Sequence, residues 1–471
     1  MTDKRSGLAP TLAGTSHPAR LWEPLGDQRV QCHLSPRECK IPEGGLGFCG
    51  VRYNDGGKLV TLNYGKSVPM TQETIETEAV YHYAPGAHIL SMGNIGCMMK
   101  CDFCHNWQTS QARLARDQDI VAYTPEQVVE YALRHDIGIL SWTYNDPVVW
   151  HEFVIDTARL GRKHGLKNLF KSAFYIGPRA VDELLEVIDI FSLSLKSMTA
   201  EHYRRYTGGT LQPVLDAILQ VYRAKGPHLE ISNLCVTERN DTLEESLKVA
   251  HWMLEHLDAE VPLHYVRFHP DYKYTHVGRT SIPFLEEARL AAIEAGMKYV
   301  YVGNVYDTPS VNTTCPGCGE LLVERYGLTA RVNLDGNRCP KCALVTPIVP
   351  WVQPVRRAAA EVIETVELRH DFRGGVQAIH IEQDRESTVH YQFIDATGAA
   401  VGLPASSSCT RFMISKAYAG ATGVRVSHAP DVVPRVFEVF DRAHFPTVDL
   451  ATAVSTSDER PLPLLMPRAR P

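Results

Sequence analysis

No stretch of this chain is apolar for long enough to cross a bilayer, and its polar start, Met1 to Arg20, lacks the apolar core of a signal peptide. A cytoplasmic protein with no membrane partner is the expectation. Runs of Lys and Arg are also missing, and the formal net charge is -6. Nucleic acid is therefore not expected as a partner, because phosphate binding relies on concentrated positive charge. Internal repeats are absent beyond an alternation of strand and helix patterns. With 471 residues, 44% hydrophobic and 22% charged, the chain is long enough for two or three globular units with a large buried core.

Cysteine is plentiful. All but Cys235 and Cys409 of the 12 cysteines fall into three local clusters, which in a cytosolic protein points to metal ligation rather than disulfides. The two isolated ones read as buried packing thiols.

Residues 1–20 read as a flexible lead. Residues 21–84 form a Cys-rich module, with Cys32, Cys39 and Cys49 among Pro36, Pro42, Gly44, Gly45, Gly47 and Gly50. From 85 to 308 strands and helices alternate. Strands are expected at 88–92, 137–143, 169–174, 188–195, 229–236, 263–268 and 299–302. Thr124-Pro125-Glu126-Gln127 has the form of a capping box opening a helix. Further helices are expected at 150–163, 179–187, 211–225, 242–257 and 283–296. This α/β alternation predicts a parallel sheet with right-handed crossovers, a partial (β/α)6 TIM-like barrel whose active site lies at the C-terminal ends of the strands. Residues 309–349 read as a zinc-ribbon-like module, 355–455 as a separate α+β domain, and 460–471 as a Pro-rich disordered tail.

Cys97-Met-Met-Lys-Cys101-Asp-Phe-Cys104 follows the first strand. Three thiolates on a [4Fe-4S] cluster leave one iron open, unlike the four-thiolate electron-transfer cluster. A zinc site completed by a ligand such as His105 is the alternative. The cysteine spacing is that of the radical SAM superfamily, and Cys104-His105-Asn106 resembles the pyruvate formate-lyase-activating enzymes. Over residues 20–350 the chain is most similar to the radical SAM enzymes of the AmmeMemoRadiSam system. The shared motifs are Phe48-Cys49-Gly50-Val51-Arg52-Tyr53-Asn54, Tyr144-Asn145-Asp146-Pro147, Arg267-Phe268-His269-Pro270-Asp271-Tyr272, Gly303-Asn304-Val305 and the Asn312 to Cys318 knuckle.

The resemblance implies a radical SAM barrel in which Cys97, Cys101 and Cys104 hold a [4Fe-4S] cluster that cleaves S-adenosylmethionine (SAM) reductively to a 5′-deoxyadenosyl radical. It implies an electron donor such as flavodoxin or ferredoxin. It places Phe103, Asn145, Asp146, Lys196 and His269 at the cofactor, with Asp146 on the SAM amino group and Lys196 near its carboxylate. Relatives usually carry Glu where this chain has Asp146. They have Thr-Asn-Gly where this chain has Lys171-Ser172-Ala173-Phe174-Tyr175, Val-Asp-Leu-Lys where it has Leu193-Ser194-Leu195-Lys196, and Ile-Pro-Gly where it has Thr237-Glu238-Arg239. The cluster motif is kept while the pocket around it differs.

Cys315-Pro-Gly-Cys318 and Cys339-Pro-Lys-Cys342 form two knuckles that suit structural zinc, with rubredoxin-like iron as the rival. Cys32, Cys39 and Cys49 remain open between a zinc site completed by His33, a second iron–sulfur cluster and a degraded site; relatives usually carry a fourth cysteine at Ser35. The expected function is hydrogen abstraction from a small-molecule or peptide substrate. A glycyl-radical activase acting on a protein partner is the alternative, and a non-enzymatic metal-binding scaffold a third reading.

Overall fold

The computed structural model describes residues 4–305, 308–350, 366–374, 376, 378–384, 389–401, 405–407, 411–415, 420–428, 432–439 and 454–455. The expected tail at 460–471 and Cys409 lie outside the described residues. Two compact units are distinguished: residues 1–324 with 332–355, and residues 325–331 with 356–471.

The first unit is built on one eight-stranded sheet. Its strands are β1 (Thr71–Thr74), β2 (His88–Gly93), β3 (Ile139–Thr143), β4 (Lys167–Ser172), β5 (Ile190–Ser194), β6 (His228–Cys235), β7 (Leu263–Arg267) and β8 (Val300–Gly303). They pair in sequence order. β2 to β8 are all parallel, and β1 adds antiparallel to β2 at the edge. The seven parallel strands match the seven expected runs, one more than a six-stranded (β/α)6 unit holds, and β1 and β8 remain separate edges. Among the described residues the sheet does not close.

Helices α1 (Pro125–Arg134), α2 (His151–Lys163), α3 (Pro178–Leu185), α4 (Leu211–Arg223), α5 (Leu243–His256) and α6 (Ile282–Glu294) form the crossovers. The Thr124 hydroxyl accepts from Gln127 N–H while the Gln127 side chain accepts from Thr124 N–H, so the capping box is complete.

Side chains alternate across a strand, and the two faces differ. Leu90, Met92, Leu140, Trp142, Phe170, Phe191 and Leu193 are buried in the main apolar core. On the opposite face Ile89, Ile139, Leu169 and Ile190 pack against Ile75, Val80, Tyr83, Ala84 and Ala87, which seal that face at the N-terminal ends of the strands. Two residues further along each strand this face turns polar, through Ser91, Ser141, Lys171 and Ser192. β1 belongs to this sheet, so the boundary expected at 84 falls inside the sheet unit.

Residues 4–20, expected to be flexible, are instead ordered by burial. Leu12 is buried, His17–Pro18 pairs with Lys58–Thr61, and the His17 ring stacks on Tyr64 at 3.6 Å. The Cys-rich module adds a sheet of Trp22–Gly26, Arg29–Cys32 and Cys39–Ile41. Its tie to the main sheet is a buried ion pair: Arg52 donates to Glu152 at 2.6 Å, both side chains at most 2% exposed. Arg52 also donates to the Arg20 carbonyl, and Glu152 accepts from Arg20 N–H.

The second unit contains two four-stranded antiparallel sheets sharing a core of Ile379, Ile381, Val389, Phe393, Val424, Val426 and Val436. The α+β expectation for 355–455 is met only in its strands; among the described residues of that segment no helix occurs.

Breaking one half of a buried ion pair strands the other charge in a low dielectric. Arg52→Met should therefore lose about 3–5 kcal/mol of stability in urea unfolding. The double variant Arg52→Met/Glu152→Met should recover part of that loss, since no charge is then left alone.

Candidate functional site

Because β2 to β8 run parallel, their C-terminal ends share one edge, and the sequence-predicted residues gather there. Cys97, Cys101 and Cys104 lie in the loop after β2. Asn145 and Asp146 follow β3, Lys196 follows β5 and His269 follows β7.

The cysteine loop is held from several sides. The Asn145 amide donates to the Asn94 carbonyl and, at 3.0 Å, to the Thr109 hydroxyl; the Asn106 amide donates to the Tyr144 carbonyl. Lys100 and Asp102 N–H groups donate to the Thr207 and Tyr206 carbonyls at 2.9 and 3.2 Å. Arg239 clamps the Asp102 carboxylate with two bonds of 2.5 and 2.8 Å, its guanidinium sitting 3.5 Å from the Tyr274 ring centre and 3.9 Å from that of Tyr206. From the N-terminal module Arg37 donates to the Met98 carbonyl at 3.1 Å and stacks on Phe48 at 3.4 Å. Gly93 is required where β2 ends: a Cβ there would meet the Tyr144 ring at 2.7 Å. Tyr144 itself sits at φ +65°, a region side-chain-bearing residues seldom adopt.

Cys97, Cys101 and Cys104 lie close enough to influence one another electrostatically. Burial raises the Cys97 and Cys101 thiols above their ordinary value; Asp146 adds to the rise at Cys97, and Lys196 opposes it at Cys101. Asp146 is 1% exposed. Its Oδ1 accepts from the Ser172 hydroxyl at 2.7 Å and from Val148 N–H, while its Oδ2 is buried with no hydrogen-bond partner among the described residues. Burial pushes this carboxyl up to about 6, against the pull of Ser172, Val148 and Lys196. The Lys196 backbone is pinned, its N–H to the Tyr203 hydroxyl and its carbonyl to the Asn240 amide. Its ammonium makes no hydrogen bond or ion pair among the described residues.

Two predicted residues serve the loop in this structure. Phe103 is buried among Val236, Phe268, Tyr274 and Val277, beneath the loop. His269 stacks on His105 at 3.6 Å, and its carbonyl accepts from His105 Nε2 at 2.9 Å. That bond engages one of the two ring nitrogens, and burial pulls His105 down to about 4.

The four cysteines Cys315, Cys318, Cys339 and Cys342 converge, with all Sγ atoms within 4.8 Å of one another. Among the described residues no other group of His, Cys, Asp or Glu donors converges on one point in this way. At the first cluster Cys32 faces Cys39 across paired strands and Cys49 is buried. His33 is turned to carboxylates instead, 2.5 Å from Glu38 and 3.6 Å from Glu23.

The polar patch on the sheet face went unread in the sequence. Glu78 accepts from Ser141 at 3.1 Å and from Thr143 at 2.7 Å, and burial together with Glu73 pushes it up to about 7. Lys171 donates to Ser192 and Ser232. The available signal was a polar residue at every second position in Ile-Leu-Ser-Met, Ile-Leu-Ser-Trp-Thr and Ile-Phe-Ser-Leu-Ser.

Comparison with known proteins identifies the family. The profile of the radical SAM superfamily matches residues 91–253. The uncharacterized protein MJ0808 of Methanocaldococcus jannaschii is 38% identical over 337 residues, covering 70% of this chain and 99% of that protein. The pyruvate formate-lyase 1-activating enzyme of Escherichia coli is 30% identical over 122 residues, 24% of this chain and 47% of the enzyme, so the match spans about half of that relative. A radical SAM methyltransferase structure from Sphaerobacter thermophilus, at 14% identity and a TM-score of 0.36, covers 50% of this chain and 71% of that one, too distant to bear on substrate. Among the described residues no helix is long and apolar enough to cross a membrane. The chain belongs to the radical SAM superfamily and is an enzyme of that class, which implies a [4Fe-4S] cluster and SAM.

Proposed function

We propose that Cys97, Cys101 and Cys104 ligate the [4Fe-4S] cluster, that Asp146 and Lys196 hold the amino and carboxylate groups of SAM, and that the enzyme abstracts hydrogen from a small-molecule or peptide substrate. The observation that carries this reading is the unpartnered Asp146 Oδ2, a buried acceptor within electrostatic reach of the cysteines and of the unpaired Lys196. A buried acceptor left empty costs about 1–3 kcal/mol, and an ammonium donor relieves that cost. When bound, the cluster supplies the electron for reductive cleavage of SAM. Asn145, Arg239 and Arg37 hold the cysteine loop in shape, and Phe103 and His269 support it from below and beside. Asp146 takes the place of the usual Glu, and Ser172 fixes the orientation of this shorter side chain.

The subfamily reading (AmmeMemoRadiSam system), a sheet curled as a partial barrel around the site, a flavodoxin or ferredoxin as electron donor and a cytoplasmic setting belong to the same proposal. A glycyl-radical activase is the second reading, favoured by the similarity to the Escherichia coli activating enzyme. At the four-cysteine module we propose structural zinc. Four thiolates about 2.3 Å from one tetrahedral ion stand about 3.8 Å apart, and the Cys315–Cys342 and Cys318–Cys339 sulfurs are each 3.6 Å apart.

Three outcomes test these assignments. Cys101→Ala should abolish both the broad visible absorption of the reconstituted protein and formation of 5′-deoxyadenosine with dithionite; wild-type cleavage by this variant would sink the cluster assignment. Cys318→Ala should release zinc and lower the unfolding midpoint while iron content stays unchanged. Finding iron alone at the module would reject zinc.

The third outcome concerns pH. Asp146 must be ionised to accept the SAM ammonium, and its carboxyl titrates at about 6. SAM affinity should be constant above that pH and fall by up to roughly tenfold per unit below it. Asp146→Asn should bind weakly with a flat profile, as read by equilibrium binding between pH 5 and 8.

A further inference from the structure

Lys171 lies on β4, one residue before the Ser172 that orients Asp146, and on the polar face of the sheet. Buried ammonium groups are ordinarily paired with carboxylates. Lys171 has no ion-pair partner among the described residues; its two hydrogen bonds go to hydroxyls, Ser192 at 3.0 Å and Ser232 at 3.1 Å. Ser192 gives its own proton to the Glu78 carbonyl at 2.6 Å, so towards Lys171 it accepts. Ser232 shares a proton with Ser194 at 3.0 Å. A neutral amine has two N–H donors and one lone pair, and the two serines take the two donors. The lone pair is left over. Burial pulls Lys171 down to about 8; the nearby Glu78 and Glu230 carboxylates oppose that fall, and the Lys196 cation adds to it. Desolvation is what makes such an amine nucleophilic near neutral pH.

We propose that Lys171 takes hold of the substrate as a carbonyl compound, an aldehyde, ketone or 2-oxo acid, through an imine. This rests on the radical SAM reading only for the place of the substrate beneath the cofactor. The neutral Nζ adds to the carbonyl carbon and gives up its two protons, the carbonyl oxygen takes up two protons and leaves as water, and C=N replaces C=O. Nothing is oxidised or reduced, and no further reactant is required.

The test traps the imine with sodium cyanoborohydride on the full-length reconstituted protein, with glyoxylate, pyruvate or acetaldehyde as probe. Peptide mass mapping then locates the reduced adduct. Lys171 should label at least roughly tenfold faster than Lys58, which is exposed, with one of the three probes. In Lys171→Arg the fast label should vanish while Lys58 still reacts slowly. Labelling of Lys171 no faster than Lys58 with all three probes overturns the inference. Mapping on the wild-type chain decides the matter even where the variant folds poorly. Formation of 5′-deoxyadenosine by the same wild-type preparation scores the radical SAM reading separately, so the two fail independently.

Discussion

A loop that carries three thiols and has no ladder of its own must be held in shape by its neighbours. From Asn94 to Asn106 the chain has no helix or strand beyond an isolated bridge at Asn94, so its hydrogen bonds are made outward. They reach the loop after β3 through Asn145 and Asn106, the turn after β5 through Tyr206 and Thr207, the loop after β6 through Arg239, and the N-terminal module through Arg37. The strand order makes this possible. Seven parallel strands in sequence order bring all these loops to one edge, and the buried Arg52–Glu152 pair brings the N-terminal module to the same region. Removing one support leaves the others, so the loop is over-determined rather than dependent on one contact.

Much of this was legible in the sequence because it rests on local rules. The Thr124 capping box, the seven apolar strand runs and the cysteine spacing each depend on residues near one another in the chain. Two kinds of feature were not legible. Residues 4–20 look like a polar lead because few of them are apolar, yet burial of Leu8, Ala9 and Leu12 is enough to order the segment. Nothing near Arg239 in the sequence signals its part in holding the cysteine loop. Its role needs Asp102, 137 positions away, and two tyrosines from different loops.

The polar patch marks the sharper limit. Strand runs such as Ile-Leu-Ser-Trp-Thr read as buried on both faces, as parallel strands usually are. The serines at alternate positions were a signal that one face is polar, but period two alone does not say whether that face meets solvent or an enclosed site. Glu78 decides it. It arrives from the segment before β2, is 3% exposed and is bonded by hydroxyls of β2 and β3. A carboxylate placed there by a distant segment can be located only in three dimensions.

The charges at this edge also fall into an order that follows from spacing along the strands. Apolar side chains seal the sheet face at the N-terminal ends of β2 to β5. Two residues further lie Glu78's hydroxyl partners and Lys171, and beyond the strand ends come Asp146 and Lys196. Asp146 and Lys196 are opposite in sign, within electrostatic reach and without a direct ion pair. Were they bonded, each would satisfy the other and a zwitterion would gain little by displacing them. Held apart by Ser172 on one side and by the pinned backbone of Lys196 on the other, they stay available to a ligand with one charge of each sign. An amino acid's ammonium and carboxylate are such a ligand, and the proposal that SAM is held by its methionine end rests on the separation of these two side chains more than on either residue alone.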